Sequence, residues 1–384
     1  MKILLIGNLA EDRQESMQRF TAMLRDGLAA RGHEVAVLAP TLRLARFGPR
    51  YRYGGVPKYL GYVDKFVLFP RKLRRVLRAT RPDVVHFTDH AGAVYGSAAH
   101  GFPVLATCHD LLQVRAARGE IPQQPVGGFG RRYQEWILAG LARMPHLACV
   151  SDPTRADALR LTGLAPDRVT VIPNALNYPY RQVPADTART VLRELVAAPG
   201  VDPILPEAIK GGFLLHVGGD HWYKNRAGLI AIFARLCDRL PSSPALVLVG
   251  PPLSAAQGAQ AEALGVAGRI VCVSGVTHAQ LEALYSLAEA LIFPSWEEGF
   301  GWPVAEAQAC GCPVFTSDRA PMTEVGGRFS GYFDPADSAQ AARAIADAWP
   351  GRIARRDLAL ADARRWRTAP MLDAYEALYR KIIP

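Results

Sequence analysis

The chain has 384 residues, 49% of them apolar, which suffices for large cores and suggests two domains rather than one. Its formal charge of +10 is uneven: residues 1–173 carry 25 Lys+Arg against 14 Asp+Glu, whereas residues 174–384 carry 20 against 21. No run of about eighteen apolar residues occurs, which argues against a membrane-spanning helix. The opening Met1–Gly7 has neither the apolar length nor the cleavage site of a signal peptide. Six cysteines, at 108, 149, 237, 272, 310 and 312, form no CxxC pair, so reduced thiols and a cytoplasmic location are expected. Cys310-Gly311-Cys312 is too closely spaced for a zinc pair and reads as buried small residues.

Short apolar runs alternate with helical patterns, the signature of parallel α/β sheets. The first series of predicted strands is Lys2–Ile6, Glu34–Leu38, Val84–Phe87, Val104–Thr107, Leu147–Val150 and Val169–Ile172, with helices over Gln14–Arg31, Pro70–Thr80 and Arg132–Ala142 among them. Pro173 to roughly Pro184, rich in Pro, Asn and Tyr, reads as a hinge. A second series follows from Gly212: Phe213–Val217, Ala245–Val249, Ile270–Val273, Ala290–Phe293 and Val314–Thr316. The amphipathic segment Trp366–Ile383 is placed as a helix returning to the first domain. The expected architecture is therefore two Rossmann-like domains facing a central cleft, with boundaries 1–178, 179–365 and 366–384 for the returning helix.

Ligands of such sheets bind beyond the carboxyl ends of the strands, and the distinctive loops all follow strands. Gly7-Asn8 follows the first. His86, Asp89 and His90 surround the end of another and are weaker candidates; their strand-to-loop setting lacks the helical spacing that metal ligands need. Thr107-Cys108-His109-Asp110 ends a strand with a histidine that could hydrogen-bond a reacting sugar or polarise its leaving group. In Leu215–Arg226, the glycine loop Gly218-Gly219 leads to Lys224 and a helix starting near Asn225, a setting in which a lysine can neutralise a diphosphate, so Gly218, Gly219, Lys224 and Asn225 are expected to touch the ligand. Ser274-Gly275-Val276 follows a further strand.

The most informative stretch is Glu298-Gly299-Phe300-Gly301-Trp302-Pro303-Val304-Ala305-Glu306. It reads as strand, acidic glycine turn, then helix, with Pro303 suited to the first turn. Amides at Gly299, Phe300 and Gly301 would face an anion at the helix N-terminus. Glu298 and Glu306, about two turns apart, could then grip hydroxyls on either side of a phosphate, which is the layout of a nucleotide sugar. Basic clusters at Arg71–Arg81 and, interleaved with aromatics, at Arg43–Tyr53 could meet an anionic membrane or acidic acceptor. No nucleic-acid motif appears. Nor does D-x-D, G-x-x-x-x-G-K-[ST] or G-x-G-x-x-G, so a cation-bridged diphosphate site, an ATPase and a dinucleotide oxidoreductase are all disfavoured.

Taken together, these residues resemble the retaining GT-B glycosyltransferases of the group 1 and family 4 type, which include bacterial mannosyl- and glucosyltransferases and sucrose synthase-like enzymes. The resemblance covers nearly the whole chain and is most specific over Phe213–Val325. It implies donor-sugar contact by Glu298, ribose contact by Glu306, a β-phosphate contact by Lys224 and a place near the donor sugar for His109. Amides of Phe300 and Gly301 would hold sugar and phosphate, and the backbone at Gly275-Val276 would hold the base. Pro173-Asn174-Ala175 resembles the family's hinge. Two positions depart from the pattern: Tyr223 replaces an arginine, with Arg226 as a potential substitute, and Asn8 through Ser16 replaces a Gly-Gly loop. The implied reaction moves a hexose from a UDP- or GDP-linked donor to a glycan, lipid-linked or small-molecule acceptor, with retention and without metal. An epimerase or phosphorylase of the same fold and a non-catalytic nucleotide-sugar binder are the competing classes.

Overall fold

The computed structural model describes residues 1–12, 14–45, 55–197, 202–240 and 244–384, with only the backbone at 55–57. Most of the aromatic-basic stretch Arg43–Tyr53 thus lies outside the described residues. The chain divides into two compact units, Met1–Asn177 with Thr368–Pro384, and Tyr178–Arg367.

In the first unit, β1 (Lys2–Ile6), β2 (Glu34–Leu38), β3 (Val84–Phe87), β4 (Val104–Cys108), β5 (His146–Cys149) and β6 (Val169–Val171) form a parallel sheet ordered β2-β1-β3-β4-β5-β6. Its central strands are buried on both faces, as parallel strands between helix layers must be. Alternation along β1 divides the core. Ile3 and Leu5 join Phe20, Leu24 and Leu28 of the helix Glu15–Ala30, together with Met371, Leu372 and Tyr375 of the helix Thr368–Ile382. Leu4 and Ile6 face the opposite layer, where Phe69, Leu73 and Leu77 of the helix Phe69–Thr80 pack.

The C-terminal helix is therefore part of the first unit, and polar bonds lock its register. His86 is fully buried and bonds Tyr379 Oη through Nδ1 and Thr107 Oγ1 through Nε2, both at 2.7 Å. Thr107 also bonds Tyr375 Oη at 2.9 Å. Gly27 lies so close to this helix that a Cβ there would stand 2.5 Å from Leu372 Cδ1. At the rim Arg31 donates to Asp373 and to the Ala369 carbonyl.

In the second unit β7 (Phe213–Val217), β8 (Ala245–Val249), β9 (Ile270–Val273), β10 (Ala290–Phe293), β11 (Val314–Ser317) and β12 (Gly331–Phe333) form a parallel sheet ordered β12-β11-β10-β7-β8-β9. Strand β12 is absent from the sequence reading because three residues make no apolar run. Two helices, Ala185–Ala197 and Ile204–Gly211, precede β7, so this unit begins well before Gly212. Among the described residues no helix is long and apolar enough to cross a membrane. All six cysteines are unpaired thiols.

Burial holds His86 neutral, with its pKa pushed down to about 3 from 6.5. Its contribution to stability is complete above the unfolded-state value and is lost as pH falls toward the folded one. The loss should reach about 2 kcal/mol at pH 5. Urea unfolding between pH 8 and 5 tests this: a Tyr379→Phe variant should lose about 1–3 kcal/mol at pH 7, and a pH-independent wild type would contradict the reading.

Candidate active site

The predicted site residues of the second unit follow β7, β9 and β10; β7 and β10 are neighbours in the sheet, and β9 lies one strand further on, beyond β8. After β7 the chain turns through Gly218-Gly219 and a single 3-10 turn, Trp222–Lys224, into the helix Arg226–Cys237. Asn225 links turn and helix in a left-handed conformation, φ 52°, which asparagine tolerates better than most residues. Its Oδ1 accepts from the Gly228 amide, capping the helix, while Nδ2 donates to the carbonyls of Pro294 (3.1 Å) and Pro335 (3.2 Å). Those prolines follow β10 and β12. Asn225, expected to touch a ligand, directs all three of these side-chain bonds inward and works as a brace.

The brace brings Lys224 to Glu298. Lys224 Nζ lies 2.7 Å from Glu298 Oε1, with the two side chains only 11% and 9% exposed. The ammonium also sits over the rings of Phe293 (4.9 Å) and Tyr223 (5.5 Å), where the π faces attract a cation. A backbone bond of 2.7 Å from Trp296 N to Tyr223 O ties the two loops beside the pair. Desolvated on both sides, the pair would leave an uncompensated charge if either partner were removed.

Glu298 precedes the glycine turn. Gly301, at φ 96°, is the N-cap of the eight-residue helix Trp302–Ala309 with Pro303 in its first turn. Phe300 is buried and packs edge-on against Trp366 (5.2 Å) and Trp302 (5.9 Å), so its side chain anchors the turn whose amides precede the helix. Glu306 lies inside this helix, 5% exposed, and accepts a 2.9 Å bond from Tyr285 Oη. Burial, with the Glu306 carboxylate adding to it, raises the Tyr285 pKa well above its usual value, so the phenol stays protonated and donates. Gly275, in the left-handed region, and the half-buried Val276 precede the helix His278–Leu287, which Thr277 and Gln280 close with a capping box.

Two residues change standing. Arg226 does not face solvent: it is 3% exposed, and Nη2 and Nη1 donate to the carbonyls of Pro251 (3.0 Å) and Pro252 (3.4 Å). Those two bonds engage it in supporting the loop after β8. His216 was missed by the sequence reading. It is fully buried in β7, its Nδ1–H donates to the Ile292 carbonyl at 3.0 Å, and burial lowers its pKa to about 3. A strand-interior histidine in an apolar run gives no periodicity signal.

In the first unit, His109 follows β4. It is 5% exposed, with Nε2 3.0 Å from the Thr88 carbonyl and its ring edge-on to Phe20 at 4.7 Å. The carbonyl must receive a proton, so Nε2 carries it, and burial lowers the ring's pKa. Beside it, His90 Nδ1 stands 2.9 Å from Asp89 Oδ1. Burial opposes charge on both, yet attraction to Asp89 lifts His90 to about 9, and His90, His109 and the Asn8 amide hold Asp89 well below the usual carboxylate range. Asn8 donates to both Gln14 and Asp89. The loop standing in for a Gly-Gly turn is thus pinned to the end of β3. His86, the weaker candidate, is wholly structural.

Comparison with known proteins identifies the family and the fold. The family model described as Glycosyltransferase Family 4 matches residues 17–178, and Glycosyl transferases group 1 matches residues 203–362. The chain is 29% identical over 223 residues to a D-inositol 3-phosphate glycosyltransferase of Xylanimonas cellulosilytica, covering 55% of this chain and 49% of that protein. It is 27% identical over 264 residues to O-antigen chain mannosyltransferase B of Escherichia coli, covering 64% and 65% respectively. The aligned parts thus span about half to two thirds of the length of these relatives. Sucrose-phosphate synthase from Thermosynechococcus elongatus superposes with a TM-score of 0.73 at 19% identity, over 99% of this chain and 98% of that one. Anabaena Alr3699/HepE in complex with UDP and glucose gives 0.69 at 17%, over 98% and 99%. The chain belongs to the group 1 glycosyltransferases of GT-B fold.

Backbone proximity makes a sharp test of how the glycine turn is built. A Cβ on Gly250 would stand 2.2 Å from the Gly218 carbonyl oxygen, whereas one on Gly258, inside a helix, meets nothing within 4 Å. Gly250→Ala should lower stability by about 1–3 kcal/mol, and Gly258→Ala should raise it by about 0.5–1 kcal/mol. Melting temperatures of the two variants in opposite directions are the expected result.

Proposed function

We propose that this chain transfers a hexose from a nucleoside-diphosphate sugar to an acceptor hydroxyl with retention of configuration, in the synthesis of a glycan or glycoconjugate. The observation that carries the reading is the Lys224–Glu298 pair at the glycine turn after β7. It presents a fixed ammonium beside backbone amides, the two donors a departing diphosphate requires. The UDP and glucose held by Alr3699/HepE, and the glycosyl and mannosyl transfer named for the relatives, support the same substrate class.

In this reading Lys224 meets the β-phosphate, and the amides of Phe300 and Gly301 meet phosphate and sugar. Glu298 orients Lys224 and contacts the donor sugar. Glu306, its carboxylate held by Tyr285, takes the ribose hydroxyls, and the backbone at Gly275-Val276 takes the base. His109 serves the sugar as a neutral imidazole. The bond from the anomeric carbon to the β-phosphate oxygen breaks as the acceptor oxygen arrives on the same face. The acceptor's proton leaves with the diphosphate. Charge grows on the leaving group, so an ammonium already in place stabilises the transition state more than the ground state.

Calorimetry with UDP, GDP, ADP and CDP tests the site. One nucleotide should bind preferentially, equally well with EDTA, and lose affinity in Glu306→Ala and Lys224→Ala. Lys224→Ala should further lower kcat by about 100- to 1,000-fold, and NMR of the product should show the donor's anomeric configuration. Binding of no nucleotide, or binding untouched by either change, would refute the assignment.

A further inference from the structure

The first unit holds a second basic feature that the transfer reaction leaves unexplained. A cavity of about 260 Å³ is bordered by Thr41, Arg43, Asp64, Arg71, Lys72 and Arg75, with Leu68 and Phe69 as its apolar floor. Arg71, Lys72 and Arg75 border it from the helix Phe69–Thr80, whose Leu73 and Leu77 are buried in the core. Four cations border the cavity and one carboxylate opposes them.

That carboxylate is already engaged. Asp64 is 1% exposed, and its oxygens accept the backbone amides of Arg43, Leu44 and Ala45 at 3.0–3.1 Å. It fixes the loop that presents Arg43. Among the described residues, Arg43, Lys72 and Arg75 have no acidic partner, and Arg71 donates only to the Val67 carbonyl at 3.1 Å. Like charges four residues apart on a helix repel, so this face is poorer in stability than it need be unless an anion occupies it.

We infer that this cavity binds the phosphate group of a ligand other than the sugar donor. Its volume lies below that of a typical organic-ligand pocket, which suits a compact anion. A net excess of three positive charges matches a phosphomonoester or diphosphate, and guanidinium forks match phosphate oxygens pairwise. A nucleic-acid strand would need a long basic track instead. The group could arrive on a soluble phosphorylated molecule or on a lipid headgroup.

The experiment compares Arg71→Ser/Arg75→Ser with Arg74→Ser/Arg78→Ser in the full chain. Both pairs remove two charges at i and i+4 from the same helix, but only the first borders the cavity. The probes are inorganic pyrophosphate, followed by calorimetry, and sedimentation with phosphatidylcholine vesicles with and without phosphatidic acid. To set aside the donor site, the pyrophosphate titration is repeated in Lys224→Ala. The cavity pair should weaken the component that survives Lys224→Ala by about tenfold or more, while the control pair changes it little. The same selective loss seen only with phosphatidic acid vesicles assigns the site to a lipid headgroup. Equal losses in both pairs, or binding of neither probe by the wild type, would overturn the inference; melting temperatures no lower than that of the wild type show that both variants fold.

Discussion

Asn225 is the residue on which the second unit's site depends. One side chain caps a helix and holds the segments that follow β10 and β12. It does so from a left-handed backbone conformation, which costs about 1 kcal/mol or more in a non-glycine residue and persists only when surrounding bonds enforce it. Because Lys224 is its immediate neighbour, fixing Asn225 fixes where the ammonium emerges. The 2.7 Å Lys224–Glu298 contact is thus a consequence of backbone placement as much as of attraction between charges.

That placement explains the division of roles among the charged residues near the turn. An ammonium over two aromatic rings, facing one carboxylate, is poised for a further anion without needing to be recruited from solvent. Arg226 strengthens the scaffold instead, by filling the carbonyls of Pro251 and Pro252. Tyr285 does the same for Glu306. Asn225, Arg226, Lys224 and Tyr285 thus each orient another group or are themselves oriented, which is what preorganisation requires. In the first unit the buried histidines show how differently one residue type can be used. His86 is neutral between two hydroxyls, while His90 is charged by Asp89.

Much of this was legible in the sequence because parallel sheets announce themselves. Among the described residues, eleven of the twelve strands lie on apolar runs, which give their places along the chain; β12 was hidden because Gly331–Phe333 is too short to form one. The Glu298–Glu306 stretch was legible for a different reason. A glycine turn between strand and helix has few uses, and Pro303 marks where the helix starts. What sequence could not give was which polar side chains turn inward. Asn225 and Arg226 stand beside Lys224 in the chain and share its polarity, yet bonds to carbonyls tens of residues away, at 251, 294 and 335, decide their roles. His216 and His86 were obscured in the same way, since a neutral buried histidine resembles a catalytic one until its partners are known.

The central claim is that Lys224 meets the β-phosphate of the donor, and phosphorus NMR addresses that atom directly. With a bound nucleoside diphosphate, the wild-type β-phosphorus resonance should shift from its free position. Lys224→Gln at saturating nucleotide should return most of that shift while leaving the α-phosphorus resonance nearly unchanged. A β-phosphorus shift identical in wild type and variant would contradict the account and remove Lys224 from the site.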